Sequence, residues 1–233
     1  VRRGVRVISF GVSAGAEVRC EVLWSGGKGS RCRVTCGREG REIKLKVPGV
    51  HNVVNAAAAV AAVRAVEPGY SLGYVAEVLG EFEPVWMRCQ VERVRGVEVI
   101  VDCYNANPES TLAALQVLGR HEGGRRIAVL GEMHELGEAA ARCHYEIGEG
   151  AARTGVDELI AVGAHGEDVL AGARAAGMEM ERLHLARDAA EVVREVARCA
   201  REGDCVLIKG SRRAHLEEVL ELLRQMPQMT VAE

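Results

Sequence analysis

From about residue 88 onward, short apolar runs recur at regular intervals, and each is followed by a longer amphipathic stretch. Val97–Val101, Arg126–Leu130, Glu158–Val162, Leu183–Leu185 and Cys205–Ile208 are the runs. The intervening helical stretches are Asn107 to Leu118, Glu138–Arg153, Gly166–Ala175, Ala189–Arg201 and Arg212–Leu223. A strand that is apolar along its whole length must be covered on both faces. Strands joined through helices run parallel. This alternation predicts a Rossmann-like, doubly wound, mostly parallel α/β sheet over 85–233. Aromatics make up only 3% of the chain, so its core must be built from Val, Leu, Ile and Ala.

The first 84 residues read differently. Val5–Phe10, Glu17–Leu23, Arg31–Thr35 and Glu42–Val47 are β-rich and separated by Gly and Ser clusters, which predicts a meander. Ser25-Gly26-Gly27-Lys28-Gly29-Ser30 is expected to be a hairpin turn. It lacks the hydroxyl residue after Lys and the following helix that a P-loop needs. After Pro48-Gly49, His51–Val66 is an Ala/Val helix with almost no polar face, which predicts burial all round. Ser71 is expected to cap a second helix reaching about Leu79, and Phe82–Met87 reads as a linker. The expected division is therefore 1–84 and 85–233.

Several function classes are excluded. A net charge of −3 and few aromatics argue against nucleic-acid binding. No apolar run reaches 18 residues, so no membrane span is expected. The eight cysteines are scattered and form no CxxC pair, which predicts buried, reduced thiols in a cytosolic protein and no metal site. There is no G-x-S-x-G elbow of an α/β-hydrolase. The chain starts at Val1 with neither Met nor a signal core, so it is expected to be a piece of a longer protein.

Ligands of open α/β sheets bind at the carboxyl ends of the strands. That rule selects Asp102-Cys103-Tyr104-Asn105-Ala106-Asn107-Pro108, Gly131 to Gly137, Gly163 to His165, and Lys209-Gly210-Ser211-Arg212. An acid at a strand end can accept from ribose hydroxyls, and Asn side chains both donate and accept. Equally, Asn107 can simply cap the helix that Pro108 opens. Lys209, Arg212, Arg213 and His215 near a helix start point to an anion site, with Ser211 as N-cap the plainer reading. The acids of the Gly131–Gly137 loop could hold an amine or simply be solvated. Asn52 and Asn55 share one face of the Ala-rich helix, where a ligand or a cap would use them.

Taken in order, Gly49 to Ala59, Met87-Arg88, Asp102 to Pro108, Val129 to Gly137, His144 and Lys209 to Arg212 resemble the Mur ligase family of peptidoglycan synthesis. The similarity runs from about residue 5 to 224. The Tyr104–Pro108 string and the Gly131–Gly137 loop are similar to those of members that join D-alanyl-D-alanine to a UDP-N-acetylmuramoyl-tripeptide. Cys103 stands where Ser is usual, Glu132 where Asp is usual, and Trp86-Met87-Arg88 where a Gly-Arg linker is commoner.

The resemblance implies a cytoplasmic, monomeric ATP- and Mg²⁺-dependent ligase. In it, ATP converts a carboxylate to an acyl phosphate that the dipeptide amine attacks. It implies that Asn52, Asn55, Arg88 and Asp102 meet the nucleotide. Asn105, Asn107, Ser211 and Arg212 would meet the substrate, and Arg88 and Lys209 would take part in catalysis; a structural role for Lys209 is the alternative. His144 is left between a site role and packing. It also implies that residues 1–84 end a central ATP-binding domain whose P-loop and metal ligands lie outside this chain, so that the chain alone is inactive. The alternatives are a non-catalytic nucleotide- or dipeptide-binding module, or a related ligase with another amino-acid substrate.

Overall fold

The structure is a computed structural model that describes residues 5–26 and 29–226. Contacts divide the chain into two compact units between Pro84 and Val85.

The first unit holds β1 (Phe10–Gly11), β2 (Val18–Gly26), β3 (Gly29–Cys36), β4 (Glu39–Leu45), α1 (Val50–Val66) and α2 (Leu72–Glu81). β2, β3 and β4 form the antiparallel meander, and β1 pairs parallel to β2. Alternate residues Val18, Cys20, Cys32, Val34, Ile43 and Leu45 face inward and meet Val53, Ala57 and Val60 of α1. Gly26 pairs with Gly29; Gly27 and Lys28 of the expected turn lie outside the described residues.

Two expectations are corrected here. The strand expected over Val5–Phe10 shrinks to Phe10–Gly11, because only these two residues pair with β2 and Val5 and Val7 stay exposed, gaining no burial. The helix expected to be buried all round buries only Val53, Ala56, Ala57, Val60 and Ala61, with Val66 77% exposed. A single sheet covers one side of a helix, and small Ala side chains tolerate exposure on the other. Ser71 caps α2 as expected, its hydroxyl accepting from Tyr74 N–H.

The second unit holds β5 (Gln90–Val94), β6 (Val97–Asp102), α3 (Pro108–Gly119), β7 (Arg126–Leu130), α4 (Ala140–Arg153), β8 (Glu158–Val162), α5 (Gly166–Ala175), β9 (Leu183–Ala186), α6 (Ala189–Cys199), β10 (Cys205–Lys209) and α7 (Glu217–Gln225). The sheet order is β5-β6-β10-β7-β8-β9. Every pairing is parallel except β5–β6. Both faces are covered. Ile100, Leu130, Leu159 and Leu207 pack under α3, α4 and α5. Val101, Val129, Ile160 and Ile208 pack under α6 and α7. Each such buried side chain contributes about 1.5–3 kcal/mol relative to exposure.

β5 was not anticipated. It is an antiparallel edge strand joined to β6 by Arg95-Gly96, both at positive φ (55° and 79°), as a two-residue hairpin with a primed turn needs. The last helix starts at Glu217 and not at Arg212: residues 212–214 make one 3₁₀ turn, and His215 sits left-handed at φ 49°. α3 and α7 leave the adjacent strands β6 and β10 toward opposite faces, which opens a crevice at their carboxyl ends.

Candidate functional site

The centre of this crevice is a buried ion pair. Asp102 and Lys209 end β6 and β10 and are register partners, so their side chains emerge side by side. Lys209 is 2% exposed, and its Nζ lies 3.0 Å from Asp102 Oδ2. It also donates to the backbone carbonyls of Asp102 (3.2 Å) and Asn105 (2.5 Å). An ammonium has three N–H donors, and all three are engaged. Asp102 Oδ1 accepts from Cys89 N–H at 3.2 Å. The pair therefore ties together two strand ends, the loop after β6 and the segment entering β5.

Ser211 has a comparable bracing role further out along the same loop. It is 4% exposed; its Oγ accepts from His134 N–H (3.0 Å) and donates to Ala106 carbonyl (3.4 Å). It makes no side-chain cap, so the expected N-cap is corrected: the hydroxyl is held by two neighbouring loops instead. Gly131 and Gly210 lie under Leu216, whose Cδ1 would be 2.8 Å from a Cβ added to either. Their lack of side chains lets the ends of β7 and β10 sit this close.

The loop after β7 is also fixed from within. Glu132 accepts from Ala164 N–H at 2.9 Å, reaching the loop after β8. His144 is buried (1% exposed), and its Nε2 accepts from Met133 N–H at 3.0 Å while Nδ1 donates to Ala140 carbonyl at 2.7 Å. Burial lowers its pKa from the ordinary value of 6.5, with the nearby His165 adding to the shift. The two rings stack at 4.7 Å. His144 is thus a neutral spacer holding the loop.

Exposed groups crown this frame. Arg88 lies over the Tyr104 ring at 4.3 Å, and Arg212 over the Trp86 ring at 5.3 Å. Arg212 also pairs with Glu217 at 2.9 Å. Among the described residues no carboxylate pairs with Arg88 or Arg213, and both are exposed. Asn105 is exposed, and its Oδ1 accepts from Ala106 N–H. Asn107 caps α3 reciprocally with Ser110, so the capping reading holds, while the residue itself stays exposed.

Asn52 and Asn55 belong to the first unit, at the start of α1. Asn52 donates to Pro48 carbonyl (2.7 Å), and Asn55 donates to Asn52 Oδ1 (3.4 Å), so the two do share a face. Neither caps; Gly49 takes the N-cap position.

Arg88, Asp102, Asn105, Asn107, Lys209, Ser211 and Arg212 thus gather at one end of one sheet. Trp86 and Glu217 were missed as participants. The usable signal for Trp86 was its position beside Arg88 in a chain with so few aromatics. Chemically, the arrangement can receive a polar anionic ligand: exposed guanidiniums and amides stand on loops whose own polar groups are already satisfied.

Residues 87–212 match the Mur ligase, glutamate ligase domain family. The chain is 41% identical over 202 residues to a UDP-N-acetylmuramoyl-tripeptide–D-alanyl-D-alanine ligase from Mycobacterium bovis, covering 78% of this chain and 39% of that relative. It superposes on MurF from Acinetobacter baumannii with a TM-score of 0.81 at 27% identity, over 94% of this chain and 47% of that one. It shares the fold of MurF from Thermotoga maritima, solved in complex with ADP, with a TM-score of 0.78 at 24% identity, over 93% and 48%. The chain therefore spans less than half the length of these relatives. With a family match over more than half of its residues, centred on the sheet that carries the crevice, the chain belongs to the Mur ligase family.

Proposed function

We propose that this chain is a portion of an ATP-dependent amide ligase that adds D-alanyl-D-alanine to a UDP-N-acetylmuramoyl-tripeptide. The 41% identity to a ligase named for that reaction supports the substrate pair. The observation that carries the proposal is the division of labour at the crevice. Lys209 and Ser211 are consumed internally, while Arg88 and Arg213 remain available on the loops they brace.

In this reading ATP supplies the phosphoryl group that activates the substrate carboxylate. Arg88, its guanidinium face held flat by Tyr104, is placed to meet nucleotide phosphate charge, and Asp102 stands at the strand end where a ribose would be read. Asn52 and Asn55 offer amides for a base edge. Asn105, Asn107 and Arg212 would face the incoming dipeptide, with the exposed Arg213 beside them to meet its carboxylate, since Arg212 is paired with Glu217. Lys209 and Ser211 act as positioning residues. Residues 1–84 would close the central ATP-binding domain and 85–233 form the C-terminal domain, with the protein working as a monomer in the cytoplasm.

Mg²⁺ does not fit Asp102 or Glu217 at this crevice. Asp102 and Glu217 are each engaged by a cation of the chain, Lys209 and Arg212, so no step is assigned to the ion here.

The test is phosphate release from ATP by the complete gene product, given UDP-N-acetylmuramoyl-tripeptide with and without D-alanyl-D-alanine. Dipeptide-dependent release is expected, and the 233-residue chain alone should show none. Release stimulated equally by unrelated amino acids, or none at all, would refute the substrate assignment.

A further inference from the structure

At the opposite end of the second unit's sheet, three side chains with metal-ligating atoms converge. Glu98 near the start of β6 and Cys205 at the start of β10 are register partners, so both point to the same face. His121 follows α3, which covers that face. One ligand atom from each of the three lies within 4.8 Å of the other two. Cys205 Sγ is 3.9 Å and His121 Nδ1 3.8 Å from Glu98 Oε1.

The imidazole is already oriented. His121 Nε2 lies 2.8 Å from Gly203 carbonyl, a group that can only accept, so Nε2 carries the proton. The other ring nitrogen, Nδ1, faces the Glu98 carboxylate at 3.8 Å. A ring nitrogen fixed by a carbonyl behind it is the usual support of a metal-bound histidine. The backbone is shaped around this ring: a Cβ on Gly123 would lie 2.6 Å from His121 Nε2 and 2.7 Å from Gly203 carbonyl.

Among the described residues His121 is the one basic group ion-paired with Glu98, whose cross-strand neighbour is the exposed Arg93. Cys205 is fully buried, and the contact of its thiol is with Glu98. His121 and Glu98 keep side-chain exposures of 15% and 22%, so the cluster borders solvent. The Glu98 carboxylate thus faces the imidazole Nδ1 and a weak S–H donor, three ligand atoms that one divalent cation could bind together.

We propose that Glu98, His121 and Cys205 form a Zn²⁺ site, with water as fourth ligand. One thiolate, one imidazole and one carboxylate suit zinc better than the hard cations that ATP enzymes use. Tetrahedral Zn–S and Zn–N/O bonds of ~2.3 and ~2.0 Å put S···O about 3.5 Å and N···O about 3.3 Å apart, so the two contacts to Glu98 shorten by about 0.4 and 0.5 Å and the three ligand atoms, now within 4.8 Å of one another, draw in around the ion. On binding, Cys205 gives its proton to solvent and the Sγ–Zn bond replaces the S–H bond. No electron is transferred. The site lies away from the crevice and braces the junction of β6, β10 and the α3–β7 loop.

The experiment is titration of the 233-residue chain with Co²⁺, followed by absorbance, with Zn²⁺ as competitor. One equivalent should give thiolate-to-cobalt charge transfer in the near ultraviolet and tetrahedral bands in the red, both displaced by Zn²⁺. His121→Ala and Cys205→Ser should each weaken the signal at least tenfold, and Glu98→Gln should weaken it while preserving the side-chain shape. Far-UV circular dichroism confirms that each variant is folded. Absence of the charge-transfer band in the unsubstituted chain overturns the proposal whatever the variants do. So does a band that persists in folded His121→Ala and Cys205→Ser, because it would then come from other cysteines.

Discussion

Replacing Lys209 by Met tests whether the crevice is braced as its geometry implies. The substitution keeps most of the apolar stem and removes the ammonium that holds Asp102 Oδ2 and the carbonyls of Asp102 and Asn105. Asp102, with its side chain 14% exposed, then retains only the Cys89 N–H. Removing one member of a buried pair costs about 3–5 kcal/mol, because the other charge stays desolvated. For a unit spanning Val85–Glu233 this corresponds to a fall in Tm of roughly 6–20 °C. Urea unfolding is the assay. Trp86 lies in the second unit and Trp24 in the first, so a Trp24→Phe background lets fluorescence report the second unit alone. Asp102→Asn, and the Lys209→Met/Asp102→Asn double variant, complete a cycle. The double variant should lose less than the two single losses added, with a coupling of about 2 kcal/mol. A loss below about 1 kcal/mol for Lys209→Met, or strict additivity, would mean that the ammonium is not committed internally. Lys209 would then be free for the phosphates, and the positioning role assigned to it would be refuted.

Four further outcomes are expected. Ser211→Ala removes the acceptor of the part-buried His134 N–H and should cost about 1–3 kcal/mol by urea unfolding; a neutral result would show that the N–H finds another acceptor. Arg88→Ala removes an exposed side chain with no ion pair, so its stability should change by less than about 1 kcal/mol, while ligation by the complete gene product falls at least tenfold; unchanged turnover would remove Arg88 from the site. Gly148→Ala would drive a methyl into Val169 carbonyl where α4 and α5 touch, and should cost about 1–3 kcal/mol or more in the same assay; a stability within error would mean that the helices can move apart freely. His144 has a lowered folded pKa, so as pH falls below about 6.5 the unfolded chain takes up a proton first and stability declines until the folded imidazole is also protonated; His144→Gln should flatten that segment of the stability–pH curve, and an unchanged slope would refute the neutral assignment.

How much of this was legible in the sequence depended on whether a residue's role was local. Val97–Val101, Arg126–Leu130 and Glu158–Val162 announced themselves because a strand covered on both faces has no polar positions. Asn107-Pro108 announced α3 because a cap and its helix are contiguous. β5 stayed hidden because an edge strand is half solvated and its Gln90–Val94 residues follow no apolar run. The start of α7 was misread because Ser211 is claimed by His134 and Ala106, 77 and 105 positions away, before it can cap anything. The crevice shows the same rule in its chemistry. Sequence reasoning grouped Lys209, Ser211 and Arg212 as one anion site because they are adjacent. In a parallel sheet, however, the neighbour of a strand end is the end of the next strand, so Lys209 is answered by Asp102 and Ser211 by the loops on either side. Adjacent residues are thereby sorted into inward and outward roles by partners that no local pattern reveals. Glu98, His121 and Cys205 are the extreme case: cysteine spacing argued against a metal, yet strand register and the turn after α3 assemble three ligand atoms from positions up to 107 residues apart.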